Sequence, residues 1–293
     1  MSDHLVHRFD DSVRARTRPV AVLGMWAWET VLALLAAWPA ATLARGAYGR
    51  YPSGDAALWD PGALPLLGLL TRETNGGRMA GGAVVGVLLL AAVAGLVPLA
   101  ALLATLAYTT AEGDRIGAAR AIGRGVGAFR PFVRMLLLVL LGAGMVALAA
   151  VLLGEGVQGW TRGWLGEARS QQAALVAGGL VALPLLALWV VQDLGRAAVI
   201  RQEIEAMHGL TVGTRTLVQA PLALGWAWGW RALLSLGLLL AGGALAGGLG
   251  GRGGWALLVL LGVHQSVVLG RVALRASWLA RALRAVGHFA SDR

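Results

Sequence analysis

The chain has no cysteine and no lysine, and only four phenylalanines and three tyrosines. Without cysteine it can form no disulfide, thiolate metal site or cysteine nucleophile. Charge is scarce as well: 14% of the 293 residues are charged, against about 25% in an ordinary soluble domain. That leaves too little polar surface to enclose a water-soluble globule, so the solvent of this chain is expected to be largely lipid. Its 25 basic residues, all arginine, outnumber 15 acidic ones. A basic excess gathered on one soluble domain would suggest nucleic acid. Here the arginines recur between apolar segments instead, and no nucleic-acid partner is expected. Arginine without lysine, together with scarce isoleucine and asparagine, points to a GC-rich genome and a bacterial source.

Catalytic signatures are also missing. The sequence has no G-x-S-x-G, no H-E-x-x-H and no phosphate loop ending in G-K-[ST]. The glycine run "GGLGGRGG" (247–254) has neither a strand before it nor a lysine after it, and reads as a tight turn. No cofactor is implied and the chain is read as non-enzymatic.

What the sequence does have is hydrophobic length. Six stretches, roughly 20–44, 80–107, 135–153, 173–193, 232–249 and 255–274, reach the ~20 apolar residues that cross a bilayer as a helix. The first exceeds the h-region of a signal peptide and is expected to be an uncleaved anchor. Arginines set the orientation: 18 fall at the N-terminus, the C-terminus and the segments between spans two and three and between spans four and five, and seven fall on the other side. Both termini are therefore expected on the cytoplasmic side of a bacterial inner membrane. Trp38, Trp160, Trp164 and Trp255 mark the outer boundary. The expected fold is an all-α polytopic membrane protein.

Self-similarity divides the chain further. "PVAVLGMWAW" at Pro19 returns as "PLALGWAW" at Pro221, and "FRPFVR" (129–134) enters span three as Trp230-Arg231 enters span five. The exits match as well, Leu194-Gly-Arg196 after span four and Leu269-Gly-Arg271 after span six. The reading is a single six-helix domain over 1–293, built from three parallel two-helix repeats (1–108, 109–200 and 201–293) with any pseudo-symmetry axis along the membrane normal. Cytoplasmic amphipathic helices are expected at 114–134, where Val126, Phe129 and Val133 oppose Arg120, Arg124 and Arg134, and in the tail, where Leu279, Leu283 and Val286 oppose Arg281, Arg284 and His288. Such helices lie in the headgroup layer and hold anionic lipid headgroups, at about 1 kcal/mol per basic residue, or dock a cytoplasmic partner. Arg231 joins this set. On the outer side, 51–71 is expected to be interfacial or re-entrant and 159–169 a second interfacial helix.

Polar residues inside spans are the remaining candidates. Glu29 is expected to pair with Arg134 or Arg231 near the inner boundary. Asp193 and Arg196 form an i, i+3 pair at the end of span four. In "LGVHQSVVLGR" (261–271), 100° per residue puts Gln265 and Ser266 on one side of the helix and His264 on the other, which excludes a triad. Gln265 and Ser266 read as hydrogen-bonding glue at a helix contact, along the small-residue lines Gly243/Gly247/Gly251 and Gly262/Ser266/Gly270. His264 reads first as a buried neutral histidine and second as a proton or ligand site. Glu203, Glu205 and His208 lie close in sequence, but Glu203 points away, and a solvated helix end is favoured over a metal site.

The basic entry into span three, "DLGRAAVIRQE" after span four and the basic helix before span five give a layout that resembles a bacterial group of uncharacterised six-span membrane proteins. It is similar to the membrane domain attached to some glycerophosphodiester phosphodiesterases. The likeness rests chiefly on Asp193-x-x-Arg196 and implies a fold and a location. The phosphodiesterase catalytic domain has no counterpart here, so the resemblance supplies no catalytic residue. The leading expectation is a scaffold or accessory subunit that assembles with partner membrane or cytoplasmic proteins and anionic lipid. The alternative is a transport permease working with a separate cytoplasmic ATPase, and after it an intramembrane enzyme acting on lipid.

Overall fold

Runs of Leu, Ala, Val and Gly with no water around them satisfy their backbone polar groups internally only as helices or closed barrels, and this chain uses helices. The computed structural model describes residues 15, 18–48, 86–87, 89–108, 116–249 and 254–290. In order the helices are α1 (Pro19–Tyr48), α2 (Leu96–Ala107), α3 (Ala118–Gly127), α4 (Phe129–Leu165), α5 (Glu167–Gln202), α6 (Ala206–Gln219), α7 (Pro221–Leu249) and α8 (Trp255–Ala290). Five helical stretches are long and apolar enough to cross a membrane: Leu89–Ala107, α4, α5, α7 and Trp255–His288 within α8. This points to a multi-pass membrane protein. The first expected span is helical too, and its shorter apolar part runs Pro19–Leu35. The segment 51–71, Gly251 and Arg252 lie outside the described residues.

Helix ends follow local chemistry. A turn at Gly95 interrupts the second apolar helix three residues before Pro98, whose ring removes the amide that would bond residue 94. Gly166 adopts φ 74° and separates α4 from α5. The expected interfacial helix at 159–169 is therefore not a separate element. Nothing before Gly166 breaks the helix, so 159–165 forms the last turns of α4, and Arg162 reaches Glu167 across the turn at 2.9 Å. At 37 residues α4 is about 55 Å long, well beyond the ~30 Å hydrocarbon layer. Glu203 closes α5 in the left-handed region at φ 55°, which frees the chain to reverse into α6.

The chain divides into two compact units, 1–126 with 229–278 and 127–228 with 279–293. In the first unit α2 is the core element, with Ala100, Leu103 and Ala104 fully buried. α1 contributes Val22 and Met25 to this core, and α3 contributes Ala121 and Gly125. Gly125 sits so close to α2 that an added methyl would lie 2.8 Å from the Val97 carbonyl oxygen and 3.1 Å from the Ala101 nitrogen. Ile122 and Val126 of α3 stay exposed. α7 and α8 meet where Gly242 receives Val267 and Gly270 receives Leu238.

In the second unit α4 and α5 form an antiparallel hairpin, with Gly154 against Ala174 and Gly178 against Ala150. α6 folds back along the end of α5 on a glycine seam. A methyl on Gly213 would lie 2.7 Å from the Val191 carbonyl oxygen and 2.9 Å from the Gly195 nitrogen. One on Gly209 would lie 2.8 Å from Val199 and 3.2 Å from Met135. Outside α2, burial concentrates toward the arginine-bearing ends: Phe132, Met135 and Val139 of α4, Leu194 to Ile200 of α5, and Val272 to Val286 of α8. Of the most apolar windows of α4, α5, α7 and α8, only 11%, 6%, 0% and 6% is buried.

Candidate functional site

In the first unit the polar residues of α8 are distributed over three directions. Gln265 points to α1, where its Oε1 accepts a hydrogen bond from Thr30 Oγ1 at 3.0 Å. Arg271 points to α7 and donates from Nε to Ser235 Oγ at 3.1 Å. Ser266 is exposed and donates to the Gly262 carbonyl of its own helix at 2.8 Å. Gln265 is thus the interhelical glue expected of it, while Ser266 bonds within α8. The small-residue lines are also displaced: nothing comes within 4 Å of Gly243, Gly247 or Gly262. The α7–α8 packing uses Gly242 instead, 100° round from Gly243, where Val267 fills the space.

His264 is exposed rather than buried. With Arg271 it lines a groove between α7 and α8 of about 560 Å³ whose remaining walls are apolar. The histidine falls on the open side because α1 approaches α8 at Gln265, about 100° away round the helix. The cations acting most strongly on Glu29 are Arg275 and then Arg271, not the expected Arg134 or Arg231. The Thr30–Gln265 bond explains this, since it sets α1 beside α8 and so beside the arginines where α8 leaves its apolar stretch. Arg231 donates to Ser277 Oγ from Nε and Nη2 at 3.2 and 3.1 Å and lies 4.4 Å over the Trp230 ring. A second cavity of about 360 Å³ lies among α1, α2 and α3, with Arg18, Trp28, Pro98 and Ile122 in its lining.

The expected amphipathic helices combine exposed and anchored arginines. Arg120 is exposed. Arg124 lies 4.6 Å over the Tyr108 ring and donates to its hydroxyl at 3.4 Å. In the tail Leu279, Leu283 and Val286 are buried, while Arg281 and His288 are exposed and Arg284 is half-buried. The periodicity therefore separates the two faces of the tail correctly. In α3 the packed face is the small-residue one, Ala121 and Gly125, since only those side chains fit against the α2 backbone.

The second unit holds the other expected pair. Arg196 Nη1 lies 3.3 Å from Asp193 Oδ1 with both side chains mostly buried, and its guanidinium lies 5.9 Å from the Phe132 ring centre. Gln192 is fully buried beside them, and among the described residues neither of its amide atoms has a hydrogen-bond partner. Sequence reasoning anticipated a basic helix before span five but missed this glutamine and the packing of α6 against this end of α5. The signal was present as Gly209-x-x-x-Gly213. Arg134 pairs with Glu205 at the start of α6, 3.2 Å apart and exposed. Arg201 donates to the Leu283 carbonyl of α8 at 2.8 Å. Among the described residues no group of three or more His, Asp and Glu side chains converges as a metal site requires.

No family model, curated protein or solved structure matches the chain. The likeness in layout to the phosphodiesterase membrane domain therefore gains no support from these comparisons.

Proposed function

We propose that this chain is a non-enzymatic six-span protein of a bacterial inner membrane, with both termini cytoplasmic, that organises partner proteins and anionic lipid. The observation that carries this reading is the uneven burial. The chain packs its helices firmly at the arginine-bearing ends and leaves the most apolar windows of α4, α5, α7 and α8 between 0 and 11% buried. Helices open in this way have whole faces free for lipid or for helices of another protein. At the arginine-bearing ends, exposed Ile122 and Val126 with Arg120, and Arg281 of the tail, fit a surface lying in anionic headgroups.

The three-repeat arrangement belongs to the same proposal. Gly125 of α3 seats on the carbonyl of Val97 and the nitrogen four residues on, and Gly213 of α6 does the same at Val191 and Gly195. One device used twice, each time by the short helix after an outer-to-inner span, supports internal repetition.

Gentle extraction from native membranes followed by mass spectrometry of what co-purifies tests the function. Stoichiometric partner subunits are expected. A chain that emerges alone would defeat the scaffold reading, and a co-purifying ATPase would favour the permease.

A further inference from the structure

We propose that the groove between α7 and α8 holds an inner-leaflet phospholipid with an anionic head, its phosphate on Arg271 and one acyl chain along the groove. The inference deepens the lipid-binding part of the proposed function and rests on its placement of α7 and α8 in a bilayer. The groove, about 560 Å³, is walled by Leu239, Gly242 and Ala246 of α7 and Leu257, Leu261 and Val268 of α8. Its polar lining is His264 and Arg271. Ser235 holds the Arg271 guanidinium by Nε alone. Its two terminal nitrogens have no hydrogen-bond acceptor among the described residues, and neither has His264.

Polar groups left open on a spanning helix are costly unless something pairs with them. A bare hydrocarbon chain would pair with neither. A second copy of this chain has little to offer at this depth, because the expected spans hold two carboxylates, the half-buried Glu29 and Asp193, which Arg196 already holds within the chain. A phospholipid fits both groups. Arg271 and His264 are seven residues apart, which places them on one side of α8 and about 10 Å apart in depth. A phospholipid presents acceptors at two depths as well, the phosphate at its head and the acyl ester carbonyls beneath. The planar guanidinium suits a phosphate in bidentate contact. Arg275, one turn on from Arg271, adds positive charge on α8, with Glu29 of α1 within electrostatic reach of both.

The test uses the full chain, delipidated and reconstituted in nanodiscs of equal phosphatidylglycerol and phosphatidylcholine, with native mass spectrometry of the lipid retained on release. The wild type should retain phosphatidylglycerol in preference to phosphatidylcholine. Arg271→Gln should cut that preference about fivefold, the effect of one basic residue at a charged surface. Arg271→Lys, which keeps the charge but loses the fork, should fall between. Ala246→Trp fills the groove and should reduce retention of both lipids. Folding of each variant is read by circular dichroism, and the lysine and tryptophan variants decide the matter if the glutamine variant does not fold. Retention that ignores every folded variant overturns the proposal. So does a disulfide-linked dimer of Ala246→Cys, a clean reporter in a chain with no native cysteine, because a second copy would then occupy the groove. Neither result depends on which proteins co-purify, so this proposal and the scaffold reading fail separately.

Discussion

Asp193 and Arg196 keep 14% and 5% of their side chains exposed, against 83% and 47% for Glu205 and Arg134. Removing one partner of a buried pair strands the other charge, at about 3–5 kcal/mol, whereas an exposed pair contributes about 0–1 kcal/mol. Asp193→Ala is therefore expected to lower the melting temperature in detergent far more than Glu205→Gln, and equal shifts would refute the burial argument. Gln192 makes the opposite prediction. A buried amide without partners carries a desolvation cost of about 1–3 kcal/mol, so Gln192→Leu should raise the melting temperature. The i, i+3 spacing of Asp193 and Arg196 is legible in the sequence because it needs only one helix. Their depth is not legible, since it comes from Phe132 and the helices gathered around them. The same holds for His264: periodicity predicts its side of α8, but whether that side is covered depends on where α1 and α7 lie.

At the scale of elements, the helices are legible because long apolar runs in lipid have no other way to satisfy the backbone. Their seams are harder to read. The stripe Gly243/Gly247 has the spacing of a packing face yet meets nothing within 4 Å, while Gly125 and Gly213 sit against backbone. One glycine pattern serves both situations, and only the approach of a neighbour separates them. Alanine substitution tells them apart. Gly213→Ala and Gly125→Ala should destabilise by about 1–3 kcal/mol through forced displacement of the packed helix. Gly247→Ala should be neutral or stabilise by up to about 1 kcal/mol, since alanine is the better helix former in open space. Thermal melts of the three variants check the ranking, and a Gly213→Ala protein as stable as the wild type would mean that α6 does not seat on α5 as described.

For the whole molecule, the arginine distribution and the packing bear on the same question from different directions. In the proposed orientation the short helices α3 and α6 lie on the cytoplasmic side, and the arginine-bearing ends hold most of the buried side chains of α4, α5 and α8. Both follow if the chain folds firmly where it meets cytoplasmic water and headgroups and stays open where lipid surrounds it. Lipid exerts no hydrophobic force between helices. The absence of cysteine makes the orientation directly measurable. Ala168→Cys lies exposed just after the α4–α5 turn, and Met207→Cys lies exposed on α6. A membrane-impermeant maleimide applied to intact spheroplasts should label the first and spare the second, and lysis should make both reactive. Labelling of Met207→Cys before lysis would invert the topology. It would also move the phospholipid of the α7–α8 groove to the outer leaflet, since the proposed topology puts α6 and Arg271 on one side of the membrane.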